Sequence, residues 1–182
     1  MIKFRDLYAN EIDVRIGQAK ENGVALLLYK DARCDMNILD ETVGAENWSR
    51  DHYECKGNLF CSVGINTNYN KEGDDEKWVH KSDCGTESNT EKEKGEASDS
   101  FKRACVNWGI GRELYTSPFI WVKAEDCKLK KAGTDKYGRD IYKCSDKFVV
   151  EKVVIENKRI TAIAIKNATL NKRVFVWQEQ KQ

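Results

Sequence analysis

Residues 90–108, TEKEKGEASDSFKRACVNW, decide the architecture. Thr90 and Glu93 stand at the spacing of a capping box, in which each side chain reaches the other's backbone N–H. At about 100° per residue, Ala97, Phe101, Ala104, Cys105 and Trp108 fall in one apolar stripe, the signature of a helix packed on a core. Gly109 supplies the stop. The reading predicts a long amphipathic helix with Lys102 and Arg103 outside the stripe, on flanks that face away from the core.

Working outward, three strands precede this helix. Residues 47–55 (NWSRDHYEC) turn at Lys56-Gly57-Asn58 into 58–66 (NLFCSVGIN), where Leu59, Cys61, Val63 and Ile65 alternate onto one face. A polar tip, NKEGDDE, leads into 77–82 (KWVHKS). Together they predict an antiparallel meander packed on the helix. Earlier still, VALLLY (24–29) reads as a buried strand. DARCDMNILDETVG (31–44) reads as a helix with Asp31 as its cap, Met36, Leu39 and Val43 on its inner face and Gly44 as its end. After the long helix the chain is β-rich. FVVEKVVIE and RITAIAIKN flank a tight turn at Asn157-Lys158, and KRVFVW adds a last strand. Residues 123–139 are polar, basic and glycine-containing, hence a loop or an exposed hairpin. The fold class is α+β: a meander on a long helix over 1–122, with 123–182 as a β-rich extension of the same domain.

Composition narrows the function. Charged residues make up 34% of the 182, and no stretch approaches membrane-spanning length. The opening segment MIKFRDLYANEID has no apolar signal region, which predicts a protein that stays in the cytoplasm. Seven cysteines, an odd number at wide spacing and without a CxxC, read as reduced and mostly buried thiols. Two histidines, neither near a cysteine pair, argue against a structural zinc. There is no phosphate-binding GxxxxGK[ST] motif, hence no sign of ATP hydrolysis. Gly109-Ile110-Gly111 follows a helix, whereas a dinucleotide site needs it to open one. GxSxG and HExxH are absent. The net charge of +1 hides an asymmetry. Residues 1–120 carry 16 basic and 22 acidic side chains, and 121–182 carry 15 and 8. A basic C-terminal third is compatible with a polyanion, and equally with an ordinary solvated surface.

Tracking an unpaired polynucleotide requires cations fixed along a groove and apolar or aromatic faces for the bases. Lys102 and Arg103 on the long helix, Arg33 and Lys30 around the start of the first helix, and Arg112 after the Gly-Ile-Gly turn are the candidate phosphate contacts. Tyr69, Trp78 and Tyr115 are candidate stacking residues. Scattered acids (Asp35, Asp40, Glu41, Asp83, Glu87) leave open a metal-dependent nuclease. The helix–three strands–helix order leaves open a double-stranded RNA-binding module, and a purely structural oligomer is the plainest alternative.

Three segments resemble the Rad52 family of single-strand annealing proteins, in its bacteriophage branch. They are YKDARCDMNILDETVGAENW (29–48), the strand pair that begins at residue 58 and ends in WVHKSDCGTES, and KGEASDSFKRACVNWGIGRELY (94–115). The most specific pieces are Gly44-x-x-x-Trp48 and Phe101-Lys102-Arg103-Ala104. The resemblance spans about residues 24–122; the C-terminal hairpins match only loosely. It implies a homo-oligomeric ring or helical arc with one DNA strand in a basic groove, and ATP-independent annealing without any cofactor. It places Lys102 and Arg103 on the DNA backbone, with Arg33 as a groove arginine. The partners so implied are single-stranded DNA and the annealed duplex, with a single-strand-binding protein or an exonuclease as candidate helpers. The setting would be recombination and repair in a phage or prophage, inside the bacterial host.

Overall fold

A computed structural model describes residues 2–71, 73, 75–86 and 92–180. The chain divides into two compact units, Met1–Asp6 with Asp31–Arg112, and Leu7–Lys30 with Glu113–Gln182.

In the first unit, helix α1 (Ala32–Val43) starts where the Asp31 carboxylate accepts from the Arg33 N–H. It ends at Gly44, whose φ of 85° suits glycine. Cys34, Ile38, Leu39 and Val43 are buried on its inner face, while Met36 is half-exposed. Strands β3 (Trp48–Cys55), β4 (Asn58–Asn66) and β5 (Trp78–Cys84), numbered in chain order after the β1 and β2 of the second unit given below, form the expected antiparallel meander. Lys56 and Gly57, both at positive φ, make the tight turn between β3 and β4. Register puts Arg50 and Lys81 on either side of Val63, so the Cys61–Val63–Ile65 face is shared by all three strands. That face meets helix α2 (Lys92–Trp108), whose Phe101, Ala104 and Cys105 are fully buried. Trp48 stacks on Phe101 at 6.1 Å and the Arg50 guanidinium covers the same ring at 5.1 Å. Burying a side chain of this size contributes about 1.5–3 kcal/mol. The predicted meander and long helix are thus both present. Thr90 of the capping box and Glu87 lie outside the described residues.

The second unit is built on a six-stranded antiparallel sheet ordered β11-β10-β9-β1-β2-β6. Its strands are β1 (Asp13–Lys20), β2 (Gly23–Tyr29), β6 (Ile120–Lys123), β9 (Phe148–Glu156), β10 (Arg159–Asn167) and β11 (Lys172–Gln178). Edge strands β6 and β11 come into contact, so the sheet curls around one core that includes Val24, Leu26, Val122, Ile160, Ile163 and Ile165. The β9–β10 hairpin turns at Asn157 and Lys158, both at positive φ, where the sequence placed it. Strands β7 (Leu129–Thr134) and β8 (Asp140–Cys144) form a separate, largely exposed hairpin; β7 lies within the 123–139 stretch read as a loop or exposed hairpin, and β8 follows directly after it.

One sequence expectation changes. The 24–29 run is only half-buried, since Leu27 and Tyr29 are exposed, and it belongs to the six-stranded sheet. Strand β1 carried no assignment, because Gly17 interrupts its pattern. There the Leu27 side chain lies so close that a Cβ would sit 2.7 Å from it, and the β1–β2 register shifts. Residue 122 falls inside β6, and the sheet takes strands from both sides of it. None of the seven cysteines is joined in a disulfide, and four of them are buried. Among the described residues no helix is long and apolar enough to cross a membrane.

Candidate nucleic-acid interface

In the first unit, a cavity of about 610 Å³ opens between the end of α2 and the loop joining β4 to β5. Lys71, Lys77, Lys81 and Arg112 line it, together with Tyr69 and Trp108. The remaining lining residues are Ile2, threonine and asparagines; none of the described lining residues is acidic.

Local structure fixes these cations. Asn66 is buried, and its side-chain oxygen accepts from the backbone N–H groups of both Asn68 and Lys77, each at 3.1 Å. The two arms of the loop are therefore pinned to one atom. Thr67 adds N–H and hydroxyl bonds to the Lys77 carbonyl, at 2.7 and 3.0 Å. Lys81 extends its ammonium over the Trp108 ring, 4.5 Å from the centroid, and donates to the Asn107 carbonyl at 2.8 Å. Trp108 is held in turn by its indole N–H on the Val63 carbonyl. Arg112 donates to the Val106 and Asn107 carbonyls, at 3.0 and 3.2 Å. Both cations thus donate to carbonyls of the last turn of α2, where the helix dipole favours positive charge. With Lys81 on its face, Trp108 serves as a seat for a cation. Tyr69 also lines the cavity and has no ring partner among the described residues.

The five residues proposed from sequence are dispersed. Arg112 lines the cavity. Lys102 is half-exposed on α2, and Arg103 beside it pairs with Asp83 of β5 at 3.2 Å. Arg33 stands at the start of α1 with its side chain 83% exposed, 3.7 Å from Asp31. Lys30 belongs to the second unit and is only 3% exposed, so it presents no surface charge for a phosphate. Of the proposed stacking residues, Tyr69 lines the cavity, Trp78 donates to Glu76, and Tyr115 is an exposed residue of the second unit. Sequence reading passed over Lys71, Lys77 and Lys81. Equal parity of Val79 and Lys81 in an alternating strand was the available signal for Lys81, since it puts that lysine on the face that meets α2, while Lys77 stands just before β5.

The acids considered for metal chemistry are engaged separately. Asp40 accepts from the Trp48 indole, Glu41 from Arg5 and Asp83 from Arg103, while Asp35 is fully buried. Among the described residues no three His, Cys, Asp or Glu side chains gather as a metal-ion group.

A model of the Rad52/22 family of double-strand break repair proteins matches residues 4–132. No curated protein and no solved structure matches the chain.

Proposed function

Because the chain belongs to the Rad52/22 family of double-strand break repair proteins, we propose that it binds single-stranded DNA in the cationic cavity of its first unit and anneals complementary strands without ATP. DNA repair and recombination are the setting that the family supplies. One observation carries the finer reading: four cations and a tyrosine line one groove that has no acidic residue among its described lining.

Phosphates would exchange their counterions for Lys71, Lys77, Lys81 and Arg112, leaving the bases turned outward for pairing. Lys102, Arg103 and Arg33 are further phosphate contacts in this reading. Arg103 would exchange Asp83 for a phosphate, a modest demand because a partly exposed pair is worth about 0–1 kcal/mol. No bond is made or broken, so no catalytic residue is required. Assembly into a ring or helical arc would multiply a few contacts per subunit into tight, salt-sensitive binding. A phage or prophage origin, with a single-strand-binding protein or an exonuclease as helper, completes the proposal.

The test is fluorescence anisotropy of labelled oligo-dT across a salt series, with wild type and a Lys71→Ala/Lys77→Ala double variant. Wild type should bind with a steep salt dependence, and the variant should lose about 1.4 from the slope of log K against log salt. Wild-type protein that ignores oligo-dT in dilute buffer, or prefers double-stranded RNA, overturns the reading.

A further inference from the structure

The β7–β8 hairpin lies in the second unit, and the cavity residues lie in the first. Residues 128–143 hold six basic and two acidic side chains. Both acids are occupied within the hairpin, Asp140 by Lys131 at 2.7 Å and Asp135 by Arg139 at 2.8 Å. In the register of the strands, Lys130 stands directly opposite Lys143. Both are exposed, and neither has an ion pair among the described residues. Like charges at facing positions destabilise a strand pair, and a hairpin with little buried surface has little to spare. A bound anion would turn this repulsion into attraction.

The tip is organised with equal care. One Asp135 carboxylate accepts from the backbone N–H groups of Tyr137 and Arg139 and from the Arg139 side chain. The turn so fixed presents Tyr137 with 71% of its surface exposed. Lys136 and Arg139 approach its ring at 5.0 and 5.2 Å. Nothing in the core requires a tyrosine there. An exposed aromatic flanked by two cations fits an unstacked base and the phosphates beside it.

At its root the hairpin is firm. Leu129 and Cys144 pack against the core of the six-stranded unit, and the Lys128 N–H is held by Asp146.

We infer that the β7–β8 hairpin is a second polynucleotide contact, in which Lys130 and Lys143 hold the sugar–phosphate backbone and Tyr137 stacks on an unpaired base. The inference takes its ligand, single-stranded DNA, from the proposed function.

The experiment compares oligo-dT with an abasic deoxyribose-phosphate strand of equal length, each titrated by anisotropy into full-length protein. Tyr137→Ala should weaken oligo-dT binding about tenfold, Tyr137→Phe should restore it, and neither should alter abasic binding. Lys130→Ala with Lys143→Ala should weaken both ligands and lower the salt slope by about 1.4. Circular dichroism melts of the Tyr137 variants should match wild type, and the double lysine variant should melt no lower. If wild type binds oligo-dT and the hairpin variants bind it equally well, the hairpin inference fails and the groove reading survives. If wild type binds neither ligand, the groove reading fails first. Variants that leave DNA affinity intact but dissociate the oligomer would make the hairpin a subunit contact, and the inference would be wrong.

Discussion

Asn66 carries no charge, yet its side-chain oxygen joins both arms of the loop that bears Lys71 and Lys77. Replacing it by alanine leaves two N–H groups without their acceptor, a loss of about 1–3 kcal/mol in local order. Asn66→Ala should therefore weaken oligo-dT binding several-fold without changing the salt slope, since no cation is removed. Anisotropy at several salt concentrations checks both halves of that statement. Phe101 answers for stability instead. It is fully buried under Trp48 and Arg50, so Phe101→Ala should cost about 3–5 kcal/mol in urea unfolding. Two thiols give a pH dependence. Burial pushes Cys61 up to about 11; burial, reinforced by the neighbouring Cys144, pushes Cys127 up to about 11, from an ordinary 9.0. The fold favours the neutral thiol, so its contribution is intact below pH 9 and is lost between pH 9 and 11, where the unfolded chain ionises first. A Cys61→Ala/Cys127→Ala variant should show a shallower fall in Tm across that window than wild type.

At the scale of elements, α2 depends on a glycine outside it. A Cβ on Gly85, just after β5, would lie 2.2 Å from the Glu96 carbonyl oxygen and 2.9 Å from the Ser100 nitrogen. Both are helix backbone atoms, which have nowhere to move. Gly85→Ala should destabilise the protein by about 3 kcal/mol and lower DNA affinity by displacing the helix whose end frames the groove; thermal melts and anisotropy report the two effects. The helix itself was legible, because Phe101, Ala104 and Cys105 keep a 3.6-residue period. So was the β9–β10 hairpin, because Asn157-Lys158 suits a turn that needs positive φ. Strand β1 was hidden by Gly17, whose purpose is visible only beside Leu27. The groove was hidden for a different reason. Lys71, Lys77, Lys81 and Arg112 come from two separate stretches that only the β4–β5 loop and the end of α2 bring together. Lys30 misled because an isolated lysine next to a helix start gives no hint of burial.

For the whole molecule, charge is divided between the units. Counted over the sequence, the unit holding the groove has 13 basic and 18 acidic residues, and the unit with the six-stranded sheet has 18 and 12. The groove is thus a local cationic feature on an acidic unit, and in the proposed function binding by a single subunit should be weak. If assembly supplies the missing affinity, oligo-dT binding should strengthen steeply with length, until the strand runs past one subunit's groove onto the next. The decisive measurement is annealing itself: two complementary oligonucleotides, labelled as donor and acceptor, mixed with protein in buffer free of nucleotide and divalent metal. The account predicts that wild type brings the dyes together many times faster than the strands pair alone, while Lys71→Ala/Lys77→Ala falls back toward the spontaneous rate. Pairing no faster than the protein-free control, or as fast with the variant as with wild type, would contradict it.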